Sequence, residues 1–181
     1  MTIPNMISVF RLFAAPLVVW LISTQQLSLA FWLFLLAGVS DGIDGFIAKR
    51  FNQASELGAH LDPIADKVML VAVFLALGIQ GMLPLWLVIL VISRDLLILG
   101  AVILSWVLHQ PIPMKPLLVS KANTLAQIVL VCLVMAAMAF DLQLDIFINI
   151  SVFLVAVLTL LSTLAYLLDW FRHMAGIEHK P

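Results

Sequence analysis

Charge is scarce in this chain: Asp, Glu, Lys and Arg make up 10% of its 181 residues, against about 25% in a typical soluble domain. That shortage excludes a water-bathed surface over most of the molecule. Cysteine is scarcer still. The single thiol, Cys132, sits in an apolar run, so neither a disulfide framework nor a zinc site is available. No internal repeat and no low-complexity linker appears, and no nucleic-acid partner is expected. What remains is apolar. With 64% hydrophobic residues and a mean hydropathy of +1.19, the sequence is expected to form an integral membrane protein, a single domain over residues 1–181.

A membrane-spanning helix needs about 20 mostly apolar residues. Six stretches meet this, at 5–23, 28–50, 63–80, 83–109, 121–140 and 145–169. The expected fold class is therefore all-α, with six transmembrane helices. The second and fourth stretches are long and carry charge, so they are predicted to tilt or to project beyond the hydrocarbon. Pro16 is predicted to kink the first helix without ending it. The first stretch has a signal-peptide look, with LFAAPLVVWLI followed by SLA. Its only cation, Arg11, nevertheless lies well inside it, and the apolar pattern already begins at Ile3, so a retained span is expected.

Loop charges set the expected orientation. The connections near 24–28 and 80–83 carry no charge, and the one near 141–145 carries only Asp141 and Asp145. Lys49, Arg50, Lys115, Lys121, Arg172 and Lys180 all fall on the other side. The positive-inside rule then puts both termini on the cytoplasmic side. In the tail, Trp170 and Phe171 beside Arg172 fit a headgroup-level anchor, and His173 and His179 read as solvated.

One polar stretch interrupts this pattern: Asp41 to Asp66, DGIDGFIAKRFNQASELGAHLDPIAD. A carboxylate at mid-membrane costs about 2.5 to 3.5 kcal/mol on insertion scales, so four of them demand cations or metal. Asp41 and Asp44 are three apart and Asp62 and Asp66 four apart, so within a helix each pair lies on one face, one turn apart. Ala48 continues the first row and Gly58 begins the second, small residues that permit close approach. Oxygen donors with no histidine or cysteine interleaved suit Mg²⁺ or Mn²⁺ better than zinc, and two such ions would form a clamp for phosphoryl groups. Lys49 and Arg50 stand next to this row, placed to neutralise phosphate oxygens or to act as positive-inside anchors. For Asp62 a structural alternative exists, since Asp followed by Pro63 is also a helix start.

Asp41, Asp44, Gly45, Ala48, Lys49, Gly58, Asp62 and Asp66 reproduce the spacing of the CDP-alcohol phosphatidyltransferase signature, D-x2-D-G-x2-A-R-x8-G-x3-D-x3-D. One position departs, with Lys49 where the family usually has arginine and Arg50 directly after; lysine keeps the charge and loses the bidentate fork. PNMISVFR, with Asn5 and Arg11, resembles the start of the glycerophospholipid branch. SRD at Ser93 to Asp95 and KPLLVSKANTLAQ at Lys115 to Gln127 are similar to the branch that makes cardiolipin from CDP-diacylglycerol. The phosphatidylglycerophosphate-forming branch has a similar layout but usually reads ARE and GKxKT there, and commonly carries a further arginine where this chain is aliphatic from Leu96 to Leu104.

The resemblance implies a six-helix, usually homodimeric enzyme that moves a phosphatidyl group from CDP-diacylglycerol to an alcohol and releases CMP. Asp41, Asp44 and Asp62 would hold a pair of Mg²⁺ or Mn²⁺ ions. Asp66 would also lie near a metal and act as the base on the acceptor hydroxyl. Asn5, Gly45, Ala48, Lys49 and Gly58 would line the nucleotide and its diphosphate. Arg94, Lys115, Lys121 and Asn123 would meet the acceptor. The SRD and SKANT resemblance and the missing arginine favour phosphatidylglycerol over glycerol 3-phosphate, whose dianion also wants more cations. Arg94 has a second reading, satisfied by Asp95 or a backbone carbonyl. Asn123, Thr124 and Gln127 share a helical face that either binds a headgroup or joins helices. A divalent-cation transporter is the rival of a different class; it expects a polar path to the far side, where every helix is almost purely apolar.

Overall fold

In the computed structural model the backbone is described over residues 3–51, 56–107 and 118–174, and side chains over 10–40, 67–101, 103–104 and 118–171. Six helices follow one another: α1 (Ile3–Ser23), α2 (Leu27–Phe51), α3 (Glu56–Ile79), α4 (Leu85–Val107), α5 (Leu118–Phe140) and α6 (Asp145–Met174). Among the described residues all regular structure is helical, as expected of an all-α membrane fold. Long apolar stretches cover Leu118–Phe140 and Asp145–Phe171, and shorter ones Phe10–Ser23, Leu27–Ser40 and Lys67–Ile79. Phe13, Ile79 and Phe153 are each more than two-thirds exposed, as suits helices bathed in lipid.

Pro16 lies inside α1, which continues to Ser23. Two expected boundaries need correction. α3 begins at Glu56, well before Pro63; the polar turn ELGAHL is helical although it fails the template of an apolar span. Among the described residues α6 is the longest helix, at 30 residues, and its end extends beyond the expected 169. It carries past Asp169 through Trp170 and Phe171, whose rings meet edge to face at 5.2 Å.

The chain divides into two compact units, residues 1–84 with 131–145, and residues 85–130 with 146–181. In the first, α1 packs against both α2 and α3. Its buried face, Ala14, Ala15, Val18, Leu21 and Ile22, follows the i, i+1, i+4, i+7, i+8 pattern of one stripe. Ala30 and Ala37 on α2 and Ala76 on α3 are also buried, and small side chains at such contacts bring backbones close. Phe31 meets Phe140 edge to face at 5.6 Å. In the second unit, Leu87, Val88 and Val91 of α4, Leu130 of α5 and Val152, Val155 and Ala156 of α6 are buried.

The three uncharged or acidic turns of the first unit share one construction. After α1, α3 and α5 a residue with positive φ turns the chain: Gln25 (60°), Gly81 (72°) and Asp141 (52°). The next amide then reaches back into the helix, Gln26 to the Leu21 carbonyl, Met82 to Leu77 and Leu142 to Ala137. These bonds satisfy carbonyls that a helix end leaves bare. The turns also meet. Gln25 Nε2 donates to Gln80 Oε1 at 3.1 Å, and Ser28 Oγ donates to the Ala139 carbonyl at 3.3 Å. One end of this unit therefore gathers the connections that carry no cation, as the loop charges predict.

Gly81 has open space where a Cβ would stand, so its constraint is backbone conformation alone. Gly81→Ala is expected to destabilise the protein by about 1 kcal/mol through left-handed strain, read as a lower unfolding temperature in detergent.

Candidate functional site

The signature residues fall on three helices. Asn5 lies in α1; Asp41, Asp44, Gly45, Ala48 and Lys49 lie near the end of α2; Gly58, Asp62 and Asp66 lie in the first half of α3. Their side chains are outside the described residues, and Lys115 is outside altogether. The backbone decides one alternative. Because α3 starts at Glu56, Asp62 is interior to the helix and does not cap it. Gly58, Asp62 and Asp66 thus occupy successive i, i+4 positions of one helix, and Asp41, Asp44, Gly45 and Ala48 the i, i+3, i+4, i+7 positions of another. Both motif-bearing helices pack on α1.

The second unit holds a polar centre whose side chains are described. Arg94 is 4% exposed. Its Nη1 donates to Asp95 Oδ1, and its Nη2 to Ser120 Oγ and, at 2.9 Å, to Ser162 Oγ. The guanidinium carbon lies 5.8 Å from the centre of the Tyr166 ring, within cation–π range. One side chain therefore ties α4 to α5 and α6. Although Arg94 sits midway along α4, its reach to Ser120 brings its charge to the first turn of α5, beside Lys121. Charge pairing and hydroxyl acceptors together do what water would do outside the membrane.

Asn123 extends this centre. It is fully buried, and its Oδ1 accepts from Thr159 Oγ1 of α6 at 3.0 Å. Gln127, one turn further along α5, is buried as well. Thr124 departs from the expected shared face: it is exposed, and its hydroxyl donates to the Ser120 carbonyl. Lys121 is exposed. Of the expected acceptor residues, Arg94 and Asn123 thus stand in one helix junction, with Lys121 at its edge. The partners on α6, Thr159, Ser162 and Tyr166, went unremarked in the sequence because they sit in an apolar span. Their 3- and 4-residue spacing was the available signal.

Replacing Arg94 with Met removes three hydrogen bonds and the ring contact at once. Arg94→Met is expected to lower stability by about 3 kcal/mol, the size seen when one partner of a buried pair is lost. Arg94→Lys should recover only part of this, since an ammonium lacks the planar fork. Thermal unfolding of the detergent-solubilised variants checks both.

Residues 1–171 match the family model for CDP-alcohol phosphatidyltransferases. The chain is 34% identical to the human and the rat cardiolipin synthase (CMP-forming), over 91% of its own length and 60% of theirs. It is 32% identical to the rice chloroplastic CDP-diacylglycerol–glycerol-3-phosphate 3-phosphatidyltransferase 1, over 92% of its length and 56% of the relative's. The chain thus spans less than two-thirds of these relatives. With the whole signature laid along α2 and α3, and the match running through all six helices, this chain belongs to the CDP-alcohol phosphatidyltransferase family.

Proposed function

We propose that this protein transfers the phosphatidyl group of CDP-diacylglycerol to phosphatidylglycerol, forming cardiolipin and releasing CMP. The observation that carries this reading is the signature on two consecutive helices, with both acidic pairs interior to them. Likeness to two cardiolipin synthases supports the choice of acceptor.

Four carboxylates at one-turn spacings, without a nitrogen or sulfur donor among them, fit a hard divalent cation. Asp41, Asp44 and Asp62 would hold Mg²⁺ or Mn²⁺, two ions in the fullest arrangement, with Asp66 adjoining. When bound, the metal supplies positive charge to the diphosphate oxygens. Asn5, Gly45, Ala48 and Gly58 leave room for the nucleotide, and Lys49 neutralises a phosphate oxygen as a point charge. Asp66 takes the proton from the acceptor hydroxyl as its oxygen bonds to the phosphatidyl phosphorus. The bond from that phosphorus to the CMP oxygen breaks, and CMP departs with the electron pair. Such a displacement needs alignment and charge neutralisation more than covalent help from the protein.

At the acceptor, Lys121 and Lys115 meet the single phosphodiester charge, while Arg94 and Asn123 hold the junction behind them. The positive-inside reading of the cations beside the signature and on α5 supports a reaction at the cytoplasmic face of the membrane. The working form is a homodimer, as the resemblance implies.

Likeness to the rice enzyme keeps glycerol 3-phosphate as the second reading. Purified protein with Mg²⁺ or Mn²⁺ and CDP-diacylglycerol is expected to release CMP and form cardiolipin when phosphatidylglycerol is added, as read by mass spectrometry of the lipid product. CMP release with glycerol 3-phosphate alone would overturn the acceptor assignment. Asp66→Asn is expected to lower turnover at least about 100-fold while nucleotide binding persists, and unchanged turnover would remove its role as base.

A further inference from the structure

Among the described residues of the unit formed by α4, the first half of α5 and α6, several buried donors are left without a partner. Arg94 Nε, Asn123 Nδ2 and Gln127 Nε2 are buried and meet no acceptor. Their residues are at most 4% exposed. The nearby acceptors already take one donor each: Asn123 Oδ1 from Thr159, and the Ser120 and Ser162 oxygens from Arg94. All three unpartnered groups are donors. Water serves them poorly, because each water brings two hydrogens that also need acceptors. A group that only accepts serves them without that cost.

We propose that these donors receive the ester carbonyls of the acceptor phospholipid, so that this junction selects a diacyl glycerolipid and not a water-soluble alcohol. This rests on the reading that the acceptor is phosphatidylglycerol. Depth supports it. At a helical rise of about 1.5 Å per residue, Asn123 lies about 3 Å and Gln127 about 9 Å beyond Lys121 along α5. A phospholipid whose phosphate sits at Lys121 carries its ester carbonyls into that interval. A shallow apolar groove lined by Leu97, Ile98 and Ala101 of α4 and Thr163, Tyr166 and Leu167 of α6 flanks this junction on its Lys121 side. Thr163 lies one turn from the Thr159 that holds Asn123, its hydroxyl bonded to the Thr159 carbonyl, and the Tyr166 ring lies beside Arg94. The acceptor is the lipid assigned here because the charged end of CDP-diacylglycerol is assigned to the signature on α2 and α3.

The test compares ester with ether. Detergent-solubilised wild-type protein is presented with dioleoyl phosphatidylglycerol and with its dialkyl ether analogue, which lacks both carbonyls, and retained lipid is read by native mass spectrometry. The ester is expected to be retained about five-fold better, the size of one neutral hydrogen bond. Gln127→Met and Asn123→Leu are expected to erase that preference while leaving the ester and ether forms of CDP-diacylglycerol equally retained. Equal retention of the two phosphatidylglycerols by the wild type overturns the proposal and leaves the donors to water. A preference that appears with CDP-diacylglycerol in place of phosphatidylglycerol overturns the assignment to the acceptor. The wild-type comparison decides even where a variant fails to fold. CMP release is measured separately: a protein that prefers ester phosphatidylglycerol yet transfers nothing to it contradicts the proposed reaction and leaves the carbonyl site standing.

Discussion

A guanidinium inside hydrocarbon keeps its charge only where protein groups replace the water it has lost, and the α4–α6 unit is built around that requirement. Arg94 spends its two terminal nitrogens on Asp95, Ser120 and Ser162 and lays its plane near Tyr166. Each contact comes from a different place in the sequence, so the three helices are held in register by one side chain. Apolar faces alone would not do this, because lipid competes equally well for them. The result is directional: a residue midway along α4 delivers its charge to the Lys121 end of α5.

The other unit meets the same solvent with different means. Its helices approach through alanines on α1, α2 and α3, and its turns close with left-handed residues and backbone bonds that leave few bare carbonyls. These turns carry no cation and touch one another through Gln25, Gln80 and Ser28. Cations and signature carboxylates belong elsewhere in the chain.

Much of the fold was legible because hydrocarbon imposes a simple rule on length and polarity. Six apolar stretches became six helices, and Pro16 passed through α1 without ending it. Where the rule misled, local chemistry explains it. Asp62 with Pro63 has the composition of a helix start, yet the chain is already helical from Glu56, so tertiary packing and the preceding polar turn outweigh the cap preference. The last span was expected to end near 169, whereas α6 continues through Trp170 and Phe171. Of the two readings of Arg94, the pairing with Asp95 is present, and two serines join it.

By itself the sequence determined that this chain lives in a membrane and which family it belongs to, and it set four carboxylates at one-turn spacings. Spacing along a helix is a local property, so eight residues at fixed intervals carry that information without any fold. Which polar groups inside the bundle find partners was decided only by tertiary structure. Ser120, Thr159 and Ser162 look alike in an apolar span, and nothing local says that they converge on Arg94 and Asn123. Nor does it say that Asn123, Gln127 and Arg94 end with donors to spare. Hydrogen bonds between helices depend on the rotation and depth of each helix, and those are set when the helices pack.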